Sequence, residues 1–306
     1  MKFLKPKFWQ NNNLTSLFLW PLSLITLTIN IVKKLQTPYV PKISTICVGN
    51  IYLGGTGKTE LVVRINQMLK NKYSTYVIKK NYKNQLDEQI LLKKNTKLFL
   101  PRKRLDGLKK IETSKKNIAI FDDGLQDKSI EHTLSIVCFN SLTGVGNGRL
   151  LPSGPLRESL SELANYNAIF INGKKNNKLI RQIKIINKKI KIFSGKYFLK
   201  NKKNFSKNSD YLAFCGIGTP QSFFNLLSEN NIKIKKKIVF PDHYDYGISD
   251  IERIKQIADL NNYKIVTTEK DYVKIKKFKK LKASFVKIEL IIDNLSSFKK
   301  YIYLNI

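Results

Sequence analysis

Residues 43–59, ISTICVGNIYLGGTGKT, decide how the rest of the chain is read. The first half is an apolar strand; the second is a glycine-rich turn ending in Lys58-Thr59, at the head of a segment with helical periodicity. Backbone N–H groups that converge in such a turn make a concave anion site at a helix N-terminus. Gly54, Gly55 and Gly57 supply conformational freedom and close approach, with Thr56 between them. Lys58 would reach the outer phosphates of a nucleotide, and Thr59 would offer its hydroxyl to Mg²⁺. The pattern G-x-x-x-x-G-K-[ST] asks for Gly where Tyr52 stands, and here the glycines fall at Gly49, Gly54 and Gly55. The alternative is a strand-to-helix turn with an incidental Lys-Thr pair.

Outward from this turn the pattern alternates between strand and helix. Residues 59–69 carry Leu61, Val62, Ile65, Met68 and Leu69 on one helical face, and apolar strands are predicted at 45–48, 74–78, 118–121, 134–139 and 168–171. Such alternation predicts a mostly parallel sheet flanked by helices, of the P-loop NTPase-like α/β class. The basic run 174–203 contains an exposed strand near 189–193, and a junction is placed near Gly195. The domains expected are an N-terminal membrane-associated helical segment (1–36), a nucleotide-binding domain (37–195) and a second, smaller α/β domain (196–306) that contributes to the active-site cleft.

Three places hold acids or arginines where chemistry needs them. Asp122-Asp123-Gly124 ends the strand at 118–121, the position at which such folds hold a metal through Asp122 and Asp123, and Gln126 follows at the same mouth. The Gly/Pro-rich loop 144–158, GVGNGRLLPSGPLRE, carries Arg149 and Arg157, whose planar forks match phosphate oxygens, a surface arginine being the alternative for either, and ends in Glu158. Asp87-Glu88 opens a short helix; stabilisation by the helix dipole is the ordinary account, and function is the other in a chain so poor in acids. In the second half, Thr219-Pro220 is an N-cap followed by proline at the first helical position. The loop 239–246, VFPDHYDY, sets His243 beside Asp242 and Asp245, and Thr268 and Asp271 are spaced as in a capping box.

Composition narrows the class. Of 306 residues, 56 are Lys or Arg against 22 Asp or Glu, a net charge of +34 that draws the chain to polyanions or anionic surfaces; a Lys-rich compositional bias accounts for it equally well. Cys47, Cys138 and Cys215 each sit inside an apolar run with no C-x-x-C spacing, as core residues of a reducing compartment do. Only His132 and His243 remain as imidazoles, so a structural zinc site is not expected. Residues 14–33, LTSLFLWPLSLITLTINIVK, are apolar over about the length a bilayer needs, but Pro21, the hydroxyl residues Ser16, Ser23, Thr26 and Thr28, and Asn30 interrupt them. The reading is a helix bent at Pro21 and lying in a membrane interface, with Lys2, Lys5, Lys7, Lys33 and Lys34 on anionic headgroups; a buried N-terminal helix is the alternative.

Taken in order, VGNIYLGGTGKT, Asp87-Glu88, DDGLQ (122–126), GNGRLLPSGPLRE (146–158), GIGTPQSFF (216–224), PDH (241–243) and TTEKD (267–271) resemble the tetraacyldisaccharide 4'-kinase family of lipid A biosynthesis. The resemblance runs from Pro21 to Asp271. It implies an enzyme at the cytoplasmic face of the inner membrane that transfers the γ-phosphate of ATP, with Mg²⁺, to the 4'-hydroxyl of an acylated glucosamine disaccharide 1-phosphate. It also implies an Asp/His catalytic pair, aligned here with Asp87 and His243. From the residues themselves, Lys58 is expected to act with that pair, and Gln126, Arg149, Arg157 and Glu158 are expected to contact substrate. The chain departs from the family pattern at Lys80-Asn81-Tyr82, at Lys103 and at Asp127.

Two other classes compete. A membrane-associated switch or partitioning ATPase shares the GGTGKT turn but carries a signature Lys where this chain has Leu53. A nucleic-acid-binding module rests on charge alone, without zinc spacing or an aromatic RNA-binding motif, so no specific nucleic-acid partner is expected.

Overall fold

A computed structural model of the chain describes residues 4–82, 85–278 and 281–306. It divides into two compact units, a larger one of Pro6–Lys83, Leu92–Lys196 and Leu290–Ile306, and a smaller one of Met1–Lys5, Asn84–Leu91 and Tyr197–Glu289.

In the larger unit the apolar runs become strands β1 (Ser44–Gly49), β2 (Ser74–Lys79), β3 (Leu98–Phe99), β4 (Asn117–Asp122), β5 (Leu134–Asn140), β6 (Ala168–Asn172) and β7 (Lys191–Leu199). β4, β5 and β6 are buried at every position, as expected of parallel strands covered on both faces. β1 lies between β4 and β5, and all its pairings are parallel. The sheet order β7-β6-β5-β1-β4-β2-β3 therefore grows in opposite directions from β1, and the glycine turn leaves the carboxyl end of that switch strand, where open α/β sheets bind ligands. β7 leaves Lys191, Lys196 and Phe198 exposed, yet it is not a sheet edge, because it pairs on one side with β6 and on the other with a late strand, Ile288–Ile292.

The N-terminal apolar segment forms two helices, α1 (Leu14–Phe18) and α2 (Ser23–Lys34), and Pro21 lies in the turn between them rather than at a bend within one. A helix of 12 residues extends about 18 Å, short of the ~30 Å hydrocarbon core. Among the described residues no helix is long and apolar enough to cross a membrane. The glycine turn feeds α3 (Lys58–Leu69), whose buried Leu61, Val62, Ile65 and Leu69 pack on the sheet.

The smaller unit is a four-stranded parallel sheet of β8 (Asp210–Cys215), β9 (Lys233–Val239), β10 (Lys264–Thr268) and β11 (Ala283–Val286), in the order β11-β10-β8-β9. Edge strand β9 turns Lys233, Lys235, Lys236 and Lys237 to solvent, and their charge blunts an edge that could otherwise pair with another chain. The helix Pro220–Glu229 does begin with proline at its first position, though Thr219 makes no side-chain cap bond.

Candidate active site

The larger unit builds the first cluster from strand register. Parallel pairing puts Val48, Asp122 and Lys79 in one row across β1, β4 and β2, so the carboxyl end of each strand delivers its side chain to the same place. Asp122 is fully buried, and its Oδ2 accepts hydrogen bonds from Thr59 Oγ1 at 3.2 Å and from the buried Lys79 ammonium at 2.9 Å. A carboxylate so far from water is tolerated because it is paired and hydrogen-bonded.

The turn itself is held by amides. Asn50 Nδ2 donates to the carbonyls of Tyr52 (2.5 Å) and Gly54 (3.1 Å), and Asn172, the last residue of β6, donates to the Thr56 carbonyl at 3.0 Å. Gly57 caps α3 with φ 84°, a left-handed conformation that a Cβ would strain.

Asp123 sits beside this row, also left-handed at φ 61°, in the kind of sparsely populated backbone conformation that gathers at functional sites. Arg157 Nη1 donates to both of its carboxylate oxygens, at 3.0 and 3.1 Å, and Lys58 Nζ lies at 3.7 Å. Burial pushes the Asp123 carboxyl up, but Lys58, Arg157 and Lys79 together hold it well below the usual carboxylate range. Thr59 and two carboxylates are an all-oxygen donor set of the hard kind that Mg²⁺ takes, so these residues fit the ion expected from the sequence.

The loop residues divide. Gln126 Nε2 donates to the Asn50 carbonyl (3.0 Å) and to Glu158 Oε2 (3.1 Å), and Glu158 is buried and further held by Tyr166 OH (2.6 Å) and Lys128 (3.3 Å). Arg149 donates to the Ser16 carbonyl of α1 at 3.3 Å, while Arg157 serves Asp123. Asp127 accepts from Arg104 Nη1 at 3.1 Å, and the other arm of that buried arginine donates to the Asp123 carbonyl. His132 joins neither cluster; its ring packs edge-on to Phe121, and burial lowers it to about 4.

The smaller unit holds the second cluster. His243 Nδ1 lies 3.0 and 3.1 Å from the two oxygens of the buried Asp87, and Lys274 Nζ is 3.0 Å from Oδ2. An ionised carboxylate only accepts, so Nδ1 carries the hydrogen. Burial would raise Asp87, but the hydrogen bond and charge of His243, with Lys274 and Lys270, outweigh it and bring the carboxyl to about 2. For His243 burial works downward, yet the bond to Asp87 and the charges of Asp242, Asp87 and Glu88 raise it.

The loop bearing His243 is fixed from beneath. His243, at φ 55°, donates its N–H to the Gly216 carbonyl, and the Gly216 N–H goes to Asp271 Oδ2 at 3.0 Å. Asp271, fully buried, also accepts from Thr268 Oγ1 (2.7 Å) and Tyr246 OH (2.9 Å). The GIGTP and TTEKD segments thus brace the histidine loop, and Thr268 does cap the helix Glu269–Ile275 through the Asp271 N–H.

Sequence reading missed Lys79, Lys274, Asn50 and Asn172. Lys79 carried a usable signal, a lysine ending an apolar strand, but only the β2–β4 register reveals its partner. Lys274 is one of many lysines and had none.

The family model described as tetraacyldisaccharide-1-P 4'-kinase (LpxK) matches residues 15–304. The tetraacyldisaccharide 4'-kinase of Pelagibacter ubique (strain HTCC1062) is 44% identical over 311 residues, covering 100% of this chain and 99% of that protein. The protein of the same name from Rickettsia canadensis (strain McKiel) is 32% identical, covering 90% of this chain and 89% of its own. Among solved structures, LpxK from Aquifex aeolicus in complex with ATP superposes with a TM-score of 0.69 at 23% identity, over 94% of this chain and 98% of that one, a likeness of fold.

Proposed function

The chain belongs to the tetraacyldisaccharide-1-phosphate 4'-kinase family, and from that premise we propose how its residues carry out the family's reaction. The enzyme transfers the γ-phosphoryl group of ATP to the 4'-hydroxyl of a tetraacylated glucosamine disaccharide 1-phosphate, giving the 1,4'-bisphosphate of lipid A biosynthesis. The observation that carries the assignment of roles is the hydrogen-bonded trio of Thr59, Asp122 and Lys79 beside a glycine turn whose lysine stands by an ionised Asp123.

Phosphoryl transfer passes through a loose transition state, so positioning and charge neutralisation supply most of the rate. Gly54, Gly55, Thr56 and Gly57 wrap the phosphates, and Lys58 meets the charge that builds on the transferred group. Thr59, Asp122 and Asp123 would hold Mg²⁺, which when bound neutralises phosphate oxygens and fixes their geometry. Arg157 keeps Asp123 oriented and adds a cation, and Gln126 and Glu158 hold the floor of the loop.

The acceptor hydroxyl must lose a proton. Asp87 takes it, with His243 and Lys274 fixing the carboxylate's direction. A carboxylate at about 2 is a weak base, so the proton moves late, as the O–P bond forms and the hydroxyl becomes strongly acidic.

α1 and α2 lie on the surface of the inner membrane at its cytoplasmic face. Leu14, Phe18, Trp20, Ile25, Val32 and Leu35 are all more than half exposed, and Lys33 and Lys34 lie in the last turn of α2, a combination suited to acyl chains beneath anionic headgroups. At that surface the enzyme would meet an acylated acceptor. Incubation with Mg-ATP and the disaccharide 1-phosphate should add one phosphoryl group by mass, and Lys58→Met should not; ATP consumption indifferent to the acceptor would point to the switch-type ATPase.

A further inference from the structure

α2 is amphipathic in an unusual sense, since it meets the body through polar residues and turns its apolar ones outward. Ser23, Thr26 and Asn30, spaced for one helical face, donate in order to the carbonyls of Leu150 (2.9 Å), Leu151 (2.8 Å) and Arg157 (2.8 Å). Leu24, Ile25, Ile29, Ile31 and Val32 are each about half exposed on the remaining surface. The helix is thus fastened by hydrogen bonds to main-chain oxygens of an irregular loop, groups that need partners when taken from water.

The third of these bonds differs from the other two in what it holds. The Arg157 N–H donates to the Ile51 carbonyl at 2.7 Å, within the glycine-turn segment, and the Arg157 C=O is taken by Asn30 Nδ2. Both peptide groups flanking the Arg157 Cα are pinned, one by the phosphate turn and one by α2, and the guanidinium that results lies 3.0 Å from Asp123 and 3.4 Å from Gln126 Oε1. Leu150 and Leu151 send no side chain to Asp123.

We infer that Asn30 is a positioning residue for phosphoryl transfer: its amide, on the helix that carries the exposed apolar face, sets the backbone from which Arg157 reaches Asp123. The inference rests on the kinase reading above and deepens it, because it ties the arginine at the phosphate site to the seating of the membrane-facing helix. Loosening α2 at Asn30 swings Arg157 off Asp123 while leaving the apolar face and its basic flank intact.

The test is a double-mutant cycle of Asn30→Ala with Arg157→Lys, read as kcat on the disaccharide in vesicles containing anionic lipid, with vesicle binding measured on the same samples. Asn30→Ala should lower kcat about five- to tenfold with vesicle binding unchanged, and should cost less than twofold more in the Arg157→Lys background. Ser23→Ala and Thr26→Ala remove the sister bonds and report the effect of loosening the helix alone; each should lose at least about threefold less kcat than Asn30→Ala. Asn30→Asp, which keeps the shape and loses the donor, carries the same expectation if the alanine variant does not fold. Equal losses at all three helix positions, additive losses in the cycle, a parallel fall in vesicle binding, or an Arg157→Lys enzyme as fast as the wild type would each overturn the inference. A wild-type protein that leaves the disaccharide unphosphorylated would overturn the kinase reading itself, and the same cycle read on Mg-ADP affinity by calorimetry would then decide Asn30 separately.

Discussion

Asp122 and Asp87 are both buried carboxylates paired with cations, yet they are held by different means. Asp122 is fixed by strand register; its neighbours Lys79 and Val48 follow from how β2, β4 and β1 align. Asp87 sits on the first turn of the helix Leu86–Asn95 and meets His243 from a loop braced by Asp271. A register-held site is as rigid as the sheet, whereas a loop-held site depends on a chain of hydrogen bonds through Gly216 and Tyr246. Under the proposed mechanism, the groups that grip phosphate occupy the first kind of site and the proton acceptor the second.

The contrast can be broken by substitution. Lys58→Met should cause the largest effect, a loss in kcat of about 10³-fold or more, since Lys58 is the cation proposed to meet the charge on the transferred group; steady-state kinetics checks it. Asp87→Ala should lower kcat by about 10²–10⁴-fold while nucleotide affinity, measured by calorimetry, stays within a few-fold of wild type. Near-normal turnover would remove Asp87 as the acceptor. Lys79→Met leaves Asp122 charged, buried and missing its ammonium, and should lower unfolding free energy by about 3–5 kcal/mol, because breaking a buried pair is more costly than never forming it.

A gentler probe is pH. Asp87 is lowered to about 2, so its contribution to stability is complete above the ordinary carboxylate value of about 3.9 and is lost as pH falls through about 2. His243 is raised, so its contribution is complete below about 6.5 and is lost as pH rises through its folded value. Denaturant unfolding from pH 4 to 9 should therefore show wild type exceeding His243→Gln at the acid end, with the gap closing toward alkali. A constant gap would mean the imidazole's charge plays no part.

How far the sequence could be read follows the same division. The strands, the glycine turn and the acids after β4 were legible because strand periodicity and turn chemistry are local signals, and burial on both faces left little choice of residue. Asp87 and His243 could each be marked from the scarcity of acids and imidazoles, but they were paired only through family resemblance, since nothing in their local spacing says that residues 156 positions apart should meet. Lys79 and Lys274 were hidden for opposite reasons: one is a single strand-end residue whose meaning needs the register, the other is lost in a chain with 56 basic residues. The apolar N-terminal stretch looked long enough to span a bilayer until Pro21 and the hydroxyl residues, bound to loop carbonyls, shortened it to two surface helices.

The three cysteines have a practical consequence. Cys47 and Cys138 are fully enclosed in the larger unit and Cys215 in the smaller, and burial pushes every thiol up, Cys47 to about 12. An alkylating reagent should find the native protein silent, so mass-mapped labelling under graded denaturant gives each unit its own clock for opening, without adding any foreign reporter.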